Sequence, residues 1–222
     1  NTARLDLDEM RMLVVIAEEL HVGRAAARLH LSQPGLSYRI KRMEVSLETP
    51  MIGSRPQADA RQLVHLVGGE TAALDVARPV LEVTAARVEH TGPVGTAATL
   101  KLLINAMLAT EVATWAGLLG VAARAGLSPT ATQELIGSLP IASPGGTRAA
   151  GGMLTGRANG VVPPNFPVDL VAKDLRYLSE LAGDVGGEAP MTRAALADYR
   201  GLSADGHGGE DLTARAALLP TA

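Results

Sequence analysis

The chain has 222 residues, of which 47% are hydrophobic, only 2% are aromatic and none is cysteine, and its formal net charge is −3. The lack of cysteine excludes disulfides, thiolate metal sites and a cysteine nucleophile, and no other metal site is predicted. The small net charge excludes a basic field over the whole molecule, so any contact with nucleic acid must be local. A core so poor in aromatic residues favours close-packed helices.

The first fifty residues predict three short helices, which together make a helix-turn-helix. The first covers residues 8–20, where apolar side chains recur at helical spacing, namely Met10, Leu13, Val14, Ile16, Ala17 and Leu20. The second is predicted over residues 24–29. The third begins with Ser32 as its N-cap residue and with Pro34 in the first turn, where a missing N–H costs nothing. Its predicted buried stripe is Leu36, Ile40, Met43 and Leu47.

The charges of this region favour DNA as a partner. The charged residues over 21–43 are all basic, namely Arg24, Arg28, Arg39, Lys41 and Arg42. At the start of a recognition helix, small polar side chains reach base edges and phosphates; here these are Ser32, Gln33 and Ser37. The acidic residues of the first helix, Glu19 among them, are expected to face away from the phosphates. A helical bundle with a basic face and no role on DNA is the alternative.

One resemblance makes the prediction more specific. The segment "ARLDLDEMRMLVVIAEELHVGRAAARLHLSQPGLSYRIKRME" resembles the N-terminal winged helix-turn-helix of LysR-type transcriptional regulators over about residues 5–50. The resemblance implies binding to double-stranded DNA, with four residues of the third helix close to the major groove: Ser32, Gln33, Pro34 and Ser37. It also implies that Arg39 and Arg42 lie near the phosphate backbone, and Arg24 and Lys41 complete the predicted DNA-binding set.

A different pattern follows Gly53. The predicted elements are a strand over 61–70, a helix over 71–84, a strand over 86–92, a long helix from Thr96 to a break at Gly126, helices around 130–138 and 170–182, and a last helix from 191. A loop rich in glycine and proline is predicted over 143–167. The apolar run over 106–123 is expected to be a buried helix and not a membrane span, because Glu111 interrupts it. We expect a cytoplasmic protein with no membrane partner, because no basic-then-apolar signal segment opens the sequence.

This second part resembles the β-hydroxyacid dehydrogenase family, of the 3-hydroxyisobutyrate dehydrogenase type, over about residues 50–213. The segments "PMIGSRPQ", "GPVGTAATLKLLINAM", "FPVDLVAKD" and "GHGGEDLTA" carry the resemblance. It implies that Lys101 protonates a substrate carbonyl while Asn105, one helical turn later, holds the substrate. It further implies Lys173 as a contact of the cofactor, NADP or NAD. Substrate-binding residues would be Ile52, Gly53, Ser54 and Phe166.

The sequence also contains an argument against dehydrogenase activity. A nicotinamide cofactor needs a Gly-rich turn that opens a helix, usually G-x-G-x-x-G, whose N–H groups hold the pyrophosphate. "GPVGTA" has the wrong spacing, and "GHGGED" lacks the third glycine. We therefore predict a DNA-binding regulator without a cofactor. The resemblance to the dehydrogenase family implies a homodimer through the helical domain. It also leaves open a small carboxylic acid as a further ligand near Lys101. The alternatives are an NAD(P)-dependent β-hydroxyacid dehydrogenase, an inactive remnant of one, or a recombined chain with no joint function.

The two resemblances meet in "LETPMIGSRPQ", residues 47–57, which fits both families. In one hypothesis residues 50–53 pair antiparallel with 62–67 as a wing. In the other, residues 62–67 pair with 86–90 as the remaining edge of a Rossmann sheet. The predicted fold is mainly α: an N-terminal winged helix-turn-helix over 1–67, a short β segment and connecting helix over 68–91, and an all-helical domain with one long central helix over 92–222.

Overall fold

The structure is a computed structural model. It describes residues 12, 15, 19, 22–32, 35–36, 47–53, 57, 60–83, 85–159 and 164–214. The chain is mainly helical with one small sheet, as the sequence predicts. It forms two compact units, Asn1–Lys101 and Leu102–Ala222.

The N-terminal part of the first unit has a core of its own. Helix α1 covers Val22–Arg28. Its buried alanines pack with buried side chains from before and after the helix, and the cluster is Met12, Val15, Ala25, Ala26 and Leu36. Leu36 is buried as predicted, and the described core residues of the first helix are Met12 and Val15, which the predicted stripe omitted. The rest of both predicted stripes lies outside the described residues, apart from Leu47, which is in a strand.

The turn after α1 is tight. His30 has a φ of 54°, in the left-handed region, and the N–H of Leu31 donates to the carbonyl oxygen of Ala26 at 2.9 Å. The N–H of Gly35 then donates to Oγ of Ser32 at 3.2 Å. Ser32 thus makes the hydrogen bond of an N-cap residue, as its position in the sequence predicts.

In the described part of the chain, the sheet contains four strands, β1 Leu47–Glu48, β2 Met51–Ile52, β3 Leu63–Gly69 and β4 Ala85–Gly92. β1 and β2 both pair antiparallel with β3, and their partners continue one register, from Leu47 opposite Gly69 to Ile52 opposite Val64. β4 pairs parallel with β3. Both pairings posed as alternatives from the sequence therefore exist, because β3 has two edges.

A parallel pair of strands needs a crossover, and helix α2, Thr71–Leu81, provides it between β3 and β4. Leu74 and Ala77 of α2 are buried against Val67 of β3. The predicted strand, helix and strand are thus confirmed as one β-α-β unit, with a helix that is shorter than predicted at its C-terminal end.

The remaining helices are α3 Thr96–Arg124, α4 Pro129–Gly137, α5 Pro144–Asn159, α6 Val168–Asp184 and α7 Pro190–Leu202, and a π-helical turn, Ser203–His207, follows α7. In the second unit they enclose one core, which includes Trp115, Met153, Val171, Leu175 and Tyr199. By length and composition α3 is apolar enough to cross a membrane, and 33% of its most apolar window is buried. The expectation of a buried helix therefore holds for one face of α3 only.

The predicted loop over 143–167 is wrong for most of its length, because α5 occupies residues 144–159. Ser143 precedes the helix, and its Oγ accepts from the N–H of Gly146 at 2.9 Å. Ala150 and Met153 of α5 are fully buried in the core of the second unit. Tertiary packing therefore stabilises a helix whose glycines disfavour it.

Candidate functional site

Two arginines of α1 share one carboxylate. Nη1 of Arg28 lies 3.0 Å from Oε1 of Glu19, and Nε of Arg24 lies 3.4 Å from Oε2 of the same side chain. Nη2 of Arg24 also donates to the carbonyl oxygen of Glu19 at 2.6 Å. The carboxylate of Glu19 offsets the charge repulsion between two arginines one helical turn apart. Its orientation away from the phosphates of bound DNA stays a prediction.

Two of the predicted DNA contacts, Arg24 and Ser32, are described. The exposed hydroxyl of Ser32 accepts the capping hydrogen bond and keeps its own proton as a donor. The other predicted contacts lie outside the described residues: Gln33, Pro34, Ser37, Arg39, Lys41 and Arg42.

The turn from β4 into α3 places a carboxylate where an anionic ligand would bind. The N–H of Gly95 donates to Oε2 of Glu48 at 2.8 Å, and Oγ1 of Thr96 donates to the carbonyl oxygen of Pro93 at 2.7 Å. A helix N-terminus attracts anions, but here the side chain of Glu48 already supplies the negative charge.

The pyrophosphate of a nicotinamide cofactor does not fit this turn, because it would meet the carboxylate of Glu48. The strand-to-helix turn between β3 and α2 ends with another acidic residue, Glu70, directly before the helix. Neither of the strand-to-helix turns in the described part of the chain thus offers the uncharged Gly-rich loop that a dinucleotide needs.

Three described residues of the predicted dehydrogenase site lie in the first unit, namely Ile52 in β2, Gly53 and Lys101. Lys101 is half-buried in the second turn of α3. Gly53 follows β2 with a φ of 150°, and a Cβ atom there would lie 2.6 Å from Cδ2 of Leu63, so only glycine fits. The neighbouring Ser54 lies outside the described residues.

In the second unit one carboxylate joins two of the predicted residues. Asp174 accepts from Nδ2 of Asn105 at 2.7 Å through one oxygen and lies 3.1 Å from Nζ of Lys173 through the other. Sequence reasoning placed Asp174 beside Lys173 but gave it no role. The contact between Asp174 on α6 and Asn105 on α3 depends on how the two helices pack.

Phe166, the predicted pocket residue, is held by its backbone just before α6. Oδ2 of Asp211 accepts from the N–H groups of Asn165 at 2.8 Å and Phe166 at 3.2 Å. The N–H of Leu212 donates back to the carbonyl oxygen of Phe166 at 2.8 Å. Burial, together with the charge of Asp211, raises the pKa of the Tyr199 hydroxyl in the same core. Sequence reasoning did not identify Asp211.

Two family models match different parts of the chain. Residues 95–219, more than half of the chain, match the family model described as the NAD-binding part of NADP-dependent 3-hydroxyisobutyrate dehydrogenase. The chain belongs to that family. Residues 7–58 match the bacterial regulatory helix-turn-helix proteins of the LysR family. The protein is therefore a chimera of a LysR-type helix-turn-helix and the C-terminal part of a dehydrogenase.

Individual relatives fall into the same two groups. Glyoxylate/succinic semialdehyde reductase 2, a chloroplastic protein of Arabidopsis thaliana, is 28% identical over 168 residues, which are 76% of this chain and 46% of the reductase. The transcriptional regulator XapR of Escherichia coli is 54% identical over 48 residues, 22% of this chain and 16% of the regulator. The solved structure of 3-hydroxyisobutyrate dehydrogenase from Mycobacterium tuberculosis with L-serine has 27% identity and a TM-score of 0.64, covering 79% of this chain and 61% of that one.

The chain spans about half the length of the dehydrogenase-type relatives, with 46%, 55% and 57% of three of them covered. It therefore carries the fold of their shared part together with a helix-turn-helix that belongs to another family.

Proposed function

We propose that this protein is a DNA-binding transcriptional regulator of LysR-like type, and that its dehydrogenase-derived helical part makes it a homodimer. The observation that carries the proposal is the LysR-family segment over 7–58, whose described residues form a buried core of their own. The basic side chains concentrated over 21–43 supply the local positive charge that phosphate binding needs.

We also propose that the module is winged and ends near residue 67. Two observations support a wing: β2 pairs antiparallel with β3, and Arg61, between them, has a left-handed φ of 56° that suits a tight turn. In this proposal residues 68–91 connect the module to the helical domain over 92–222.

The proposed dimer rests on an exposed apolar stripe along α3, which we define as Leu103, Met107, Leu118 and Val121. These residues lie on one side of the helix, opposite the buried Ala109, Val112 and Leu119. Met107 is 69% exposed and Val121 is 65% exposed. An apolar stripe of this length on a water-soluble protein is typical of an interface, and a two-fold dimer would present two helix-turn-helix modules to a palindromic site.

The test is a titration of the full chain into a fluorescently labelled duplex of mixed sequence, followed by anisotropy at two salt concentrations. We expect binding that weakens steeply as salt rises, and a large loss of affinity in the double variant Arg39→Ala, Arg42→Ala. Arg148→Ala with Arg193→Ala is the matched control, because it removes two exposed arginines from the second unit. Equal losses in both double variants, or no binding at low salt, would contradict the proposal.

A second candidate function is an NAD(P)-dependent β-hydroxyacid dehydrogenase or an inactive remnant of one. The network of Asn105, Asp174 and Lys173 favours it, because these residues match that family's motifs and two of them hold one carboxylate. In this proposal Lys101 is the proton donor, and the substrate is a small carboxylic acid bound by Gly53, Ser54 and Phe166. Such an acid could equally act as an effector of the regulator.

The carboxylate of Glu48 at the start of α3 is the argument against a cofactor in this chain. NADPH and NADH fluorescence titrations distinguish the two candidates. Saturable binding that is lost in Lys173→Ala would favour the dehydrogenase, whereas no binding together with salt-sensitive DNA binding would favour the regulator.

A further inference from the structure

We infer that Glu19 limits the affinity of this protein for DNA of any sequence by competing with phosphates for Arg24 and Arg28. The inference rests on the proposed function and extends it to a residue outside the predicted DNA-binding set.

Both carboxylate oxygens of Glu19 are in use. Oε1 lies 3.0 Å from Nη1 of Arg28, and Oε2 lies 3.4 Å from Nε of Arg24. Arg24 is held a second time, by its bond to the carbonyl oxygen of Glu19 at 2.6 Å. The planar guanidinium groups bind a phosphate through the same N–H donors that here face Glu19.

The exposure of the three side chains shows that phosphate can reach them. The side chain of Arg24 is 65% exposed and that of Arg28 is 51% exposed, whereas that of Glu19 is 24% exposed. Ion pairs between exposed side chains stabilise a fold only slightly, so the loss of the carboxylate should leave the module folded. Its main effect is then on the charge that the arginines present to DNA.

Such a carboxylate acts on the part of the affinity that does not depend on DNA sequence. Non-specific affinity comes from phosphate neutralisation and counterion release, whereas sequence is read through base contacts of the recognition helix. A residue that lowers phosphate affinity without touching bases therefore lowers the affinity for every sequence by a similar factor.

The experiment compares the full chain with its Glu19→Gln variant on a mixed-sequence duplex, by anisotropy over a series of salt concentrations. We expect the variant to bind about threefold to tenfold more tightly at low salt. The slope of log affinity against log salt concentration should be more negative by about one to two. Thermal unfolding followed by circular dichroism checks the fold. If Glu19→Gln unfolds, Glu19→Met repeats the comparison with an uncharged side chain of similar length.

Glu180→Gln is the matched control. It makes the same change in net charge and releases one exposed arginine, because Oε1 of Glu180 lies 2.8 Å from Nη1 of Arg176 on α6. A second control places Glu19→Gln in the Arg24→Gln, Arg28→Gln background, where we expect no gain in affinity.

The outcomes separate the inference from the proposed function. A gain in Glu19→Gln that is absent from Glu180→Gln and abolished without the two arginines supports the inference. An unchanged affinity, an equal gain in Glu180→Gln, or a gain that persists without the arginines overturns the inference while DNA binding stands. If neither the natural chain nor its Glu19→Gln variant binds DNA at low salt, both the inference and the proposed function are wrong.

Discussion

His65 is a buried imidazole in the central strand of the small sheet. Burial lowers its pKa below the ordinary value, because the charged form loses hydration inside the protein. The folded state therefore favours the neutral ring, whereas the unfolded chain takes up a proton at the ordinary pKa. The protonation of His65 therefore couples pH to the stability of the first unit.

We expect the first unit to lose stability as pH falls from neutral through the ordinary histidine pKa and on towards the lowered pKa of folded His65. Each unit of difference between the two pKa values lowers the free energy of unfolding by about 1.4 kcal/mol over this pH range. Urea unfolding by circular dichroism at about pH 8 and about pH 5 measures this loss, which should shrink in His65→Gln. His30→Asn alters an exposed histidine and should keep the full pH dependence; an unchanged dependence in His65→Gln would contradict the prediction.

At the scale of elements, three of the described helices begin beside a carboxylate that is distant in sequence. Glu48 accepts from the N–H of Gly95 before α3 at 2.8 Å, and Glu111 accepts from the N–H of Ser143 before α5 at 2.9 Å. Asp211 does the same for the residues before α6. Each carboxylate offsets the partial positive charge of the helix start and satisfies N–H groups there. The α6 start has no side-chain cap of its own, since Pro167 occupies the N-cap position.

These remote caps explain what the sequence could and could not predict. Periodicity and local caps located α2, α3, α6 and α7, because these signals lie inside each segment. The start of α5 receives its carboxylate from Glu111, 32 residues earlier, and its glycines made the segment look like a loop. In the same way, the spacing of the family motifs identified Lys173 and Asn105, but only the packing of α6 on α3 brings Asp174 to Asn105.

The glycines of α5 allow a sharp test of this packing. A Cβ atom at Gly146 would collide with the carboxylate of Glu111, whereas one at Gly152 would meet open space. We expect Gly152→Ala to raise the free energy of unfolding by about 0.5–1 kcal/mol, because alanine favours the helix. Gly146→Ala should lower it by about 1–3 kcal/mol, because the capping carboxylate is displaced.

Urea unfolding followed by the fluorescence of Trp115 measures both changes, since this single tryptophan is buried in the core of the second unit. Gly152→Ala serves as the control for Gly146→Ala, as both make the same substitution in one helix. Two stabilised variants would show that Gly146 is not a site of close approach.

At the scale of the whole molecule, the junction of the two families is a shared sheet. The LysR-family match ends at residue 58, so β1 and β2 belong to it, whereas β3 and β4 follow it. β1 and β2 nevertheless continue one register along β3. A linker would leave the two parts independent, but here β1 and β2 are hydrogen-bonded into the β-α-β unit. The carboxylate of Glu48 then connects β1 to the start of α3.

The proposed dimer gives the last prediction. Met107→Glu with Val121→Glu places two charges on the α3 stripe, where burial against a second copy would leave them without hydration or partners. We expect this variant to be monomeric in sedimentation equilibrium, with the natural chain dimeric. It should also bind a palindromic duplex more weakly, because two linked modules bind more tightly than one.

Met191→Glu with Val185→Glu is the matched control, since it makes the same substitutions at residues that are 65% and 72% exposed and lie outside the stripe. It should remain dimeric. Fluorescence of Trp115, in the buried core, should be unchanged in both variants, which separates dissociation from unfolding. A monomeric natural chain, or a dimer that survives both charges on the stripe, would mean that the stripe has another role. The two helix-turn-helix modules would then have to pair on DNA without help from α3.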